Sequence, residues 1–172
     1  MDEITDYETS SGMSKATILA ARDALLAQKS LTVAVLDESA VPEMGVSPFI
    51  RRDDSLYIYT SHLAGHVQAL LVQKCASFII TLDEAVTANI WARVRLKCTG
   101  AVSEVPRDDP DFSGLCDDFA AAHGNTMQLI RDFTDFHMLR ITPQSGVLVL
   151  GFAKAFLVKG VSFEIVAHLS RG

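Results

Sequence analysis

Several side chains in this 172-residue sequence have the types and spacing to do chemistry. Thr60, Ser61, His62 and His66 straddle a junction where a strand-like run gives way to a helical pattern. Hydroxyls and backbone amides at a helix start make an anion site, while a plain N-cap is the structural reading of Ser61. His62 and His66 are four apart and would share one helix face. That spacing also suits a metal ion, although no third ligand stands at metal spacing. Arg93 and Arg95 alternate along a strand pattern, about 6.6 Å apart on one face. Two carboxylates or one phosphate would fit them; a solvated strand face is the bland alternative. Asp132 and Asp135 flank a strand start, where Asp commonly caps or turns the chain. His168 sits in Ile165-Val166-Ala167-His168-Leu169, as a strand-end imidazole, and Lys154 follows Gly151 in another strand. His123 before Gly124 reads as a helix C-terminal residue, and His137 as a structural one. No Gly-x-Ser-x-Gly elbow accompanies these groups, so a hydrolase reading has no support.

The elements that must position them follow from periodicity. Residues 1–12 are polar and acidic and read as a flexible tail, leaving 13–172 as one domain. Ser14 can cap a helix running to Gln28, with Ile18, Leu19, Leu25 and Leu26 on its apolar side. The period then becomes two. Strands are predicted at 31–36, 45–51 and 55–60, with Pro48 marking an edge or bulge and Asp53-Asp54 a hairpin turn. A helix over 62–73, a strand over 77–82 and a long strand over 91–105 follow. Two helical pieces, 111–123 and 126–132, precede strands at 136–141, 147–150, 154–159 and 162–168. Strands come in sequential pairs, without strand–helix–strand crossovers. That predicts a mainly β fold, an antiparallel barrel with helices outside it.

Composition bounds the function. Hydrophobic residues make up 49 % and charged residues 21 %, which excludes a disordered chain. Net charge is −6, from 15 Lys plus Arg against 21 Asp plus Glu, which argues against nucleic acid as a partner. The longest apolar run, Gly146 to Ala153, is far short of the roughly 20 residues a bilayer span needs. The opening Met-Asp-Glu-Ile-Thr-Asp lacks the basic and apolar regions of a secretory signal. Cys75, Cys98 and Cys116 are odd in number and unclustered, and read as reduced thiols of a cytoplasmic protein.

Four stretches carry a resemblance. They are Asp37 to Phe49, ending in Ser47-Pro48-Phe49; Leu56-Tyr57-Ile58-Tyr59-Thr60-Ser61-His62-Leu63-Ala64 followed by His66; Ala92-Arg93-Val94-Arg95-Leu96; and Asp135-Phe136-His137 with Arg140-Ile141, Pro143, Ser145-Gly146 and Gly151-Phe152-Ala153-Lys154-Ala155-Phe156. In order and spacing, from about residue 14 onward, the chain resembles the haem-utilisation (HugZ/HutZ-like) branch of the pyridoxamine 5′-phosphate oxidase-like split barrels. The resemblance implies a six-stranded antiparallel split β-barrel with peripheral helices. It implies a homodimer with small-molecule clefts at the subunit interface. It makes His168 the haem-iron ligand, Arg93 a haem propionate contact and Lys154 a cleft-lining residue. Thr60, Ser61, His62, His66 and Arg95 would serve an anion or flavin phosphate, and Asp132 and Asp135 a distal polar pocket. The implied reaction is oxidative degradation of bound haem, releasing iron with electrons from an external donor. The alternatives are an FMN-binding oxidoreductase and a non-catalytic haem carrier. The chain departs from the pattern where Gly65 and Gln68 replace arginines, Ala69 replaces an asparagine and Ala153 replaces a glycine. The two lost cations weaken a phosphate grip.

Overall fold

The computed structural model describes residues 6–169. Five helices, α1 (Asp6–Ser11), α2 (Lys15–Leu26), α3 (Gly65–Gln73), α4 (Phe112–His123) and α5 (Thr126–Ile130), surround eight strands. These are β1 (Ser30–Leu36), β2 (Pro42–Arg52), β3 (Ser55–Ser61), β4 (Cys75–Thr81), β5 (Arg95–Val105), β6 (Phe136–Gly151), β7 (Lys154–Lys159) and β8 (Glu164–His168). The strands pair in the order β3-β2-β1-β4-β5-β6-β7-β8, and β3 also pairs with β6. Every pairing is antiparallel. The β3–β6 pairing closes β1 to β6 into a six-stranded barrel, and β7 and β8 extend from it. The antiparallel split barrel that the sequence implies is therefore the fold.

Alternation builds the walls. In β1, Leu31, Val33 and Val35 are buried while Thr32 and Ala34 are half-buried. β3 is buried continuously from Leu56 to Tyr59 because both its faces are covered. Leu56 and Ile58 join Leu139, Ile141 and Phe156 inside the main core. Tyr57 and Tyr59 face a second core under α4, with Phe112, Leu115 and Phe119. The β2–β3 hairpin turns through two residues, between the paired Arg52 and Ser55. Asp53 takes the left-handed φ of 52° that such a tight turn demands.

The structure departs from the sequence reading at four places. Asp6–Ser11, read as part of the tail, is helical, because Tyr7 has an apolar seat against the Phe156 ring, 6.5 Å between centroids. The helix expected over 62–73 begins only at Gly65, since Ser61 stays in β3 opposite Phe136 and His62 N–H donates to the Asp135 carbonyl. The strand expected from Trp91 begins at Arg95, because Asn89 Oδ1 accepts the Trp91 N–H and winds Ile90–Ala92 into a 3-10 turn. The two strands expected either side of Pro143 are one strand of 16 residues. There Pro143 opposes Gly100 and Ser145 opposes Thr99, so Gln144 is the extra residue of a bulge, and a bulge is a place where a strand admits proline.

Beyond that bulge, Gly146 lies against β5. A Cβ at Gly146 would overlap the Lys97 carbonyl oxygen and Cys98 Sγ and approach Cys98 Cα to 2.8 Å. Backbone on one side and a buried thiol on the other leave no room to yield. Gly146→Ala is expected to cost about 1–3 kcal/mol, read as a lower urea midpoint with an unchanged slope.

Candidate functional site

The C-terminal hairpin and the first helix meet at one cavity. β7 returns along β6, β8 returns along β7, and α1 packs on β8. The cavity measures about 750 Å³ and is lined by Ser10, Ser11, Phe152, Ala153, Lys154 and His168, among others. Phe152, 68 % exposed, and Leu169 give it apolar edges, and the exposed Lys154 gives it a cation. Ala153 holds a left-handed φ of 56°, so the β6–β7 turn keeps its conformation without a glycine there.

His168, the last residue of β8, is the most constrained polar group of this cavity. Its ring lies 5.3 Å from the Phe156 ring, centroid to centroid. Nδ1 is 3.0 Å from Ser10 Oγ and Nε2 is 2.8 Å from the Ala153 carbonyl oxygen. A carbonyl only accepts, so Nε2 carries the proton and Nδ1 accepts from the Ser10 hydroxyl. Sequence reasoning found His168 and Lys154 here but missed Ser10. The one available signal was Tyr7, an aromatic residue within an acidic segment.

Arg93 and Arg95 do not reach this cavity within one chain. Arg93 precedes β5, so the two do not alternate on one strand face. Arg93 Nε donates to the Leu82 carbonyl at 2.7 Å and Nη1 pairs with Glu84 at 2.9 Å. It lines a separate polar cleft of about 370 Å³ with Thr32, Thr81 and Glu84. Arg95 Nη1 donates to the Arg93 carbonyl. Both guanidinium groups hold the 82–95 connection in place.

The strand-to-helix junction is not the cationic cradle that its sequence suggests. Ser61 Oγ donates to Asp135 Oδ2 at 2.6 Å and accepts from Leu63 N–H, so it caps a turn and not α3. Thr60 pairs with His137 across the β3–β6 ladder. His62 is exposed, its ring 5.2 Å from that of His137, whose Nδ1 is 2.6 Å from Glu104 Oε1. His66 instead turns inward, 7 % exposed, and its ring covers Gly45 so closely that any Cβ there would overlap it. The two histidines therefore do not share a helix face. Gly65 faces the Glu43 carboxylate, 2.9 Å from where a Cβ would stand. Carboxylates thus stand beside the junction where a phosphate would need cations. Asp132 is exposed beyond α5, away from the cavity around His168. Among the described residues no three His, Cys, Asp or Glu side chains converge to hold a metal ion.

Arg107 was also invisible to sequence reasoning. Its guanidinium donates to Tyr59 Oη at 3.2 Å and to the carbonyls of Arg131, Phe133 and Phe136. Those bonds fasten the α5–β6 connection to the barrel. His123, as expected, ends α4, with Nε2 2.9 Å from the Phe49 carbonyl. Burial pushes the Cys98 thiol up to about 12, so it is an inert filler of the core.

No family model matches the chain. Heme oxygenase HutZ of Vibrio cholerae is 27 % identical over 145 residues, 84 % of this chain and 82 % of that protein. The chain is thus similar to HutZ over most of its length. The crystal structure of HutZ, described as the heme storage protein of Vibrio cholerae, superposes with a TM-score of 0.70 at 23 % identity, over 86 % of this chain and 97 % of that one. Campylobacter jejuni ChuZ superposes with a TM-score of 0.82 at 21 % identity, over 95 % of this chain and 68 % of that one. No helix among the described residues is long and apolar enough to cross a membrane.

His66 carries a pH consequence. Burial holds its imidazole below the ordinary value, with Glu43 opposing the shift, and Nε2 has no hydrogen-bond partner. The unfolded chain therefore takes up a proton, near pH 6.5, that the folded chain resists. Stability from this residue is present above that pH and falls on acidification through it. Urea midpoints are expected to drop more steeply between pH 7.5 and 5.5 in the wild type than in His66→Gln.

Proposed function

We propose that this chain binds haem in the cavity around His168 and serves haem utilisation, with oxidative degradation of the bound haem as its reaction. The observation that carries the reading is the donor set: an imidazole, an ammonium group and an exposed aromatic ring around one cavity of about 750 Å³. An imidazole nitrogen suits haem iron, Lys154 suits a propionate carboxylate, and Phe152 and Leu169 suit the apolar macrocycle. The donor set therefore fits haem. The homology to heme oxygenase HutZ supports the same reading.

Bound haem would supply the redox-active iron, fed by an external electron donor. This chain's own residues bind and orient. His168 offers one ring nitrogen to iron, and the Phe156 ring fixes the plane of the imidazole. Lys154 fixes the polar edge of the ligand. Phe152 and Leu169 exclude water from one side. The flavin alternative is disfavoured by Asp135 and Glu43 at the junction that would have to hold the phosphate. Three unpaired cysteines support a reducing, cytoplasmic location.

The barrel's outer wall supports a homodimer. Met44 and Val46 are 68 % and 71 % exposed, and Leu36 is 51 % exposed. Met44 and Val46 oppose Ala34 and Thr32 on the neighbouring strand, so these side chains form one face. An apolar face of this kind on a soluble barrel is covered by a second copy of itself. Val46→Glu is expected to convert a dimer to a monomer in sedimentation velocity, with the far-ultraviolet spectrum unchanged. An unchanged sedimentation coefficient would remove this face from the interface.

Titration of the ligand-free protein with hemin, beside FMN, tests the ligand. The expected result is a sharp Soret band saturating at about one haem per chain, shifted and weakened by His168→Ala. Added ascorbate and dioxygen are then expected to bleach the band with release of iron. A stable band under ascorbate would make the protein a carrier. No saturable Soret band, with FMN fluorescence quenched, would discard haem altogether.

A further inference from the structure

His168 has no free lone pair in this structure. Nε2–H points at the Ala153 carbonyl and Nδ1 takes the Ser10 hydroxyl proton. Iron ligation through Nε2 demands that this nitrogen lose its proton and leave the carbonyl. The imidazole can stay neutral only if Nδ1 gains a proton as Nε2 gives one up, exchanged through solvent. Nδ1 must then donate, where before it accepted. A backbone carbonyl could not serve both states, and neither could an amide N–H. A hydroxyl can, because it both donates and accepts. Ser10 stands 3.0 Å from Nδ1, 158 positions away in sequence. It is held there by α1, which packs on β8 and seats Tyr7 against Phe156.

We infer that Ser10 is the positioning residue of His168, a hydroxyl that donates to Nδ1 in the ligand-free chain and accepts from Nδ1–H once Nε2 is given to iron. The Ala153 carbonyl is the competitor that iron displaces. Partners of a metal-bound imidazole fix its tautomer and raise its basicity, and losing one typically costs about 10- to 100-fold in affinity. This role rests on the haem reading above. Ser10 is exposed and near a helix end, and its hydroxyl also lies 3.4 Å from the Tyr7 carbonyl, which accepts the hydroxyl proton when Nδ1–H donates.

The test compares wild type, Ser10→Ala and Ser10→Thr, with hemin as the probe. In ligand-free wild type, nitrogen-15 NMR of the His168 ring is expected to show the Nε2–H tautomer with a hydrogen-bonded Nδ1. Ser10→Ala is expected to shift the Nδ1 resonance, and Ser10→Thr to restore it. With haem bound and reduced, Ser10→Ala is expected to lower hemin affinity about tenfold and to move the iron–histidine stretching band in resonance Raman to lower frequency. Ser10→Thr is expected to recover both. A purely structural role for Ser10 would leave that band in place. The inference is overturned if Ser10→Ala matches wild type in both the NMR signal and the Raman band. If the ligand-free NMR pattern stands but the Soret band is indifferent to His168→Ala, the haem reading fails and this role for Ser10 fails with it.

Discussion

The β3–β6 ladder is the constraint on which the rest of this structure depends. Six consecutive pairs, Leu56 with Ile141 through Ser61 with Phe136, join strands about eighty positions apart and turn an open sheet into a barrel. Closure removes two sheet edges at once. It also obliges β3 to be apolar on both faces, one for the barrel interior and one for the helices outside. The strand's composition, Leu-Tyr-Ile-Tyr, answers that demand: aliphatic side chains point in, and aromatic ones with a polar tip point out. Tyr59 uses its tip, since its hydroxyl meets both Arg107 and the carbonyls that end α5.

Closure also decides where the cavity lies. β6 is longer than the barrel needs, and past its bulge it leaves β3 and continues beside β7. That overhang carries the β7–β8 hairpin away from the barrel wall and leaves β8 with an unpaired outer side, where α1 docks. His168 is thus held by elements that belong to no closed layer. A histidine of α3 pressed on Gly45 of β2, His66, is fixed by packing alone and is left with a buried nitrogen that has no partner. The two residues show the two uses of imidazole in this fold, one as a wedge and one as a donor that a ligand can recruit.

Much of the fold was legible in the sequence because it rests on local patterns. Alternation in Leu31-Val33-Val35, the Asp53-Asp54 turn and the Ser14 cap each report on neighbours within a few residues. The 3-10 turn at Ile90–Ala92 is set locally by Asn89, but the other failures share one cause, a distant partner overriding a local signal. Pro143 and Gly146 look like a strand break, yet β5 supplies a bulge and a close backbone approach that accommodate both. Ser61 looks like a helix cap, yet Asp135 draws its hydroxyl across the sheet. The site divided in the same way. His168 and Lys154 could be found by family resemblance and fall in one cavity, whereas Arg93 is committed to Glu84 and the Leu82 carbonyl. Ser10 carried no local mark, because its meaning depends on β8.

The contact between α1 and β8 ties the first described element to the last, across 158 positions. Contacts of such long range are late to form, since the loop they close carries the largest entropy loss. The six-stranded barrel is complete once β6 is made, before β8 exists. The cavity around His168 therefore depends on elements that the barrel's closure does not itself supply. The histidine is set in its frame only once β8 has met α1, and a chain stopping after β7 would lack Phe163 and Ile165 from the main core together with His168.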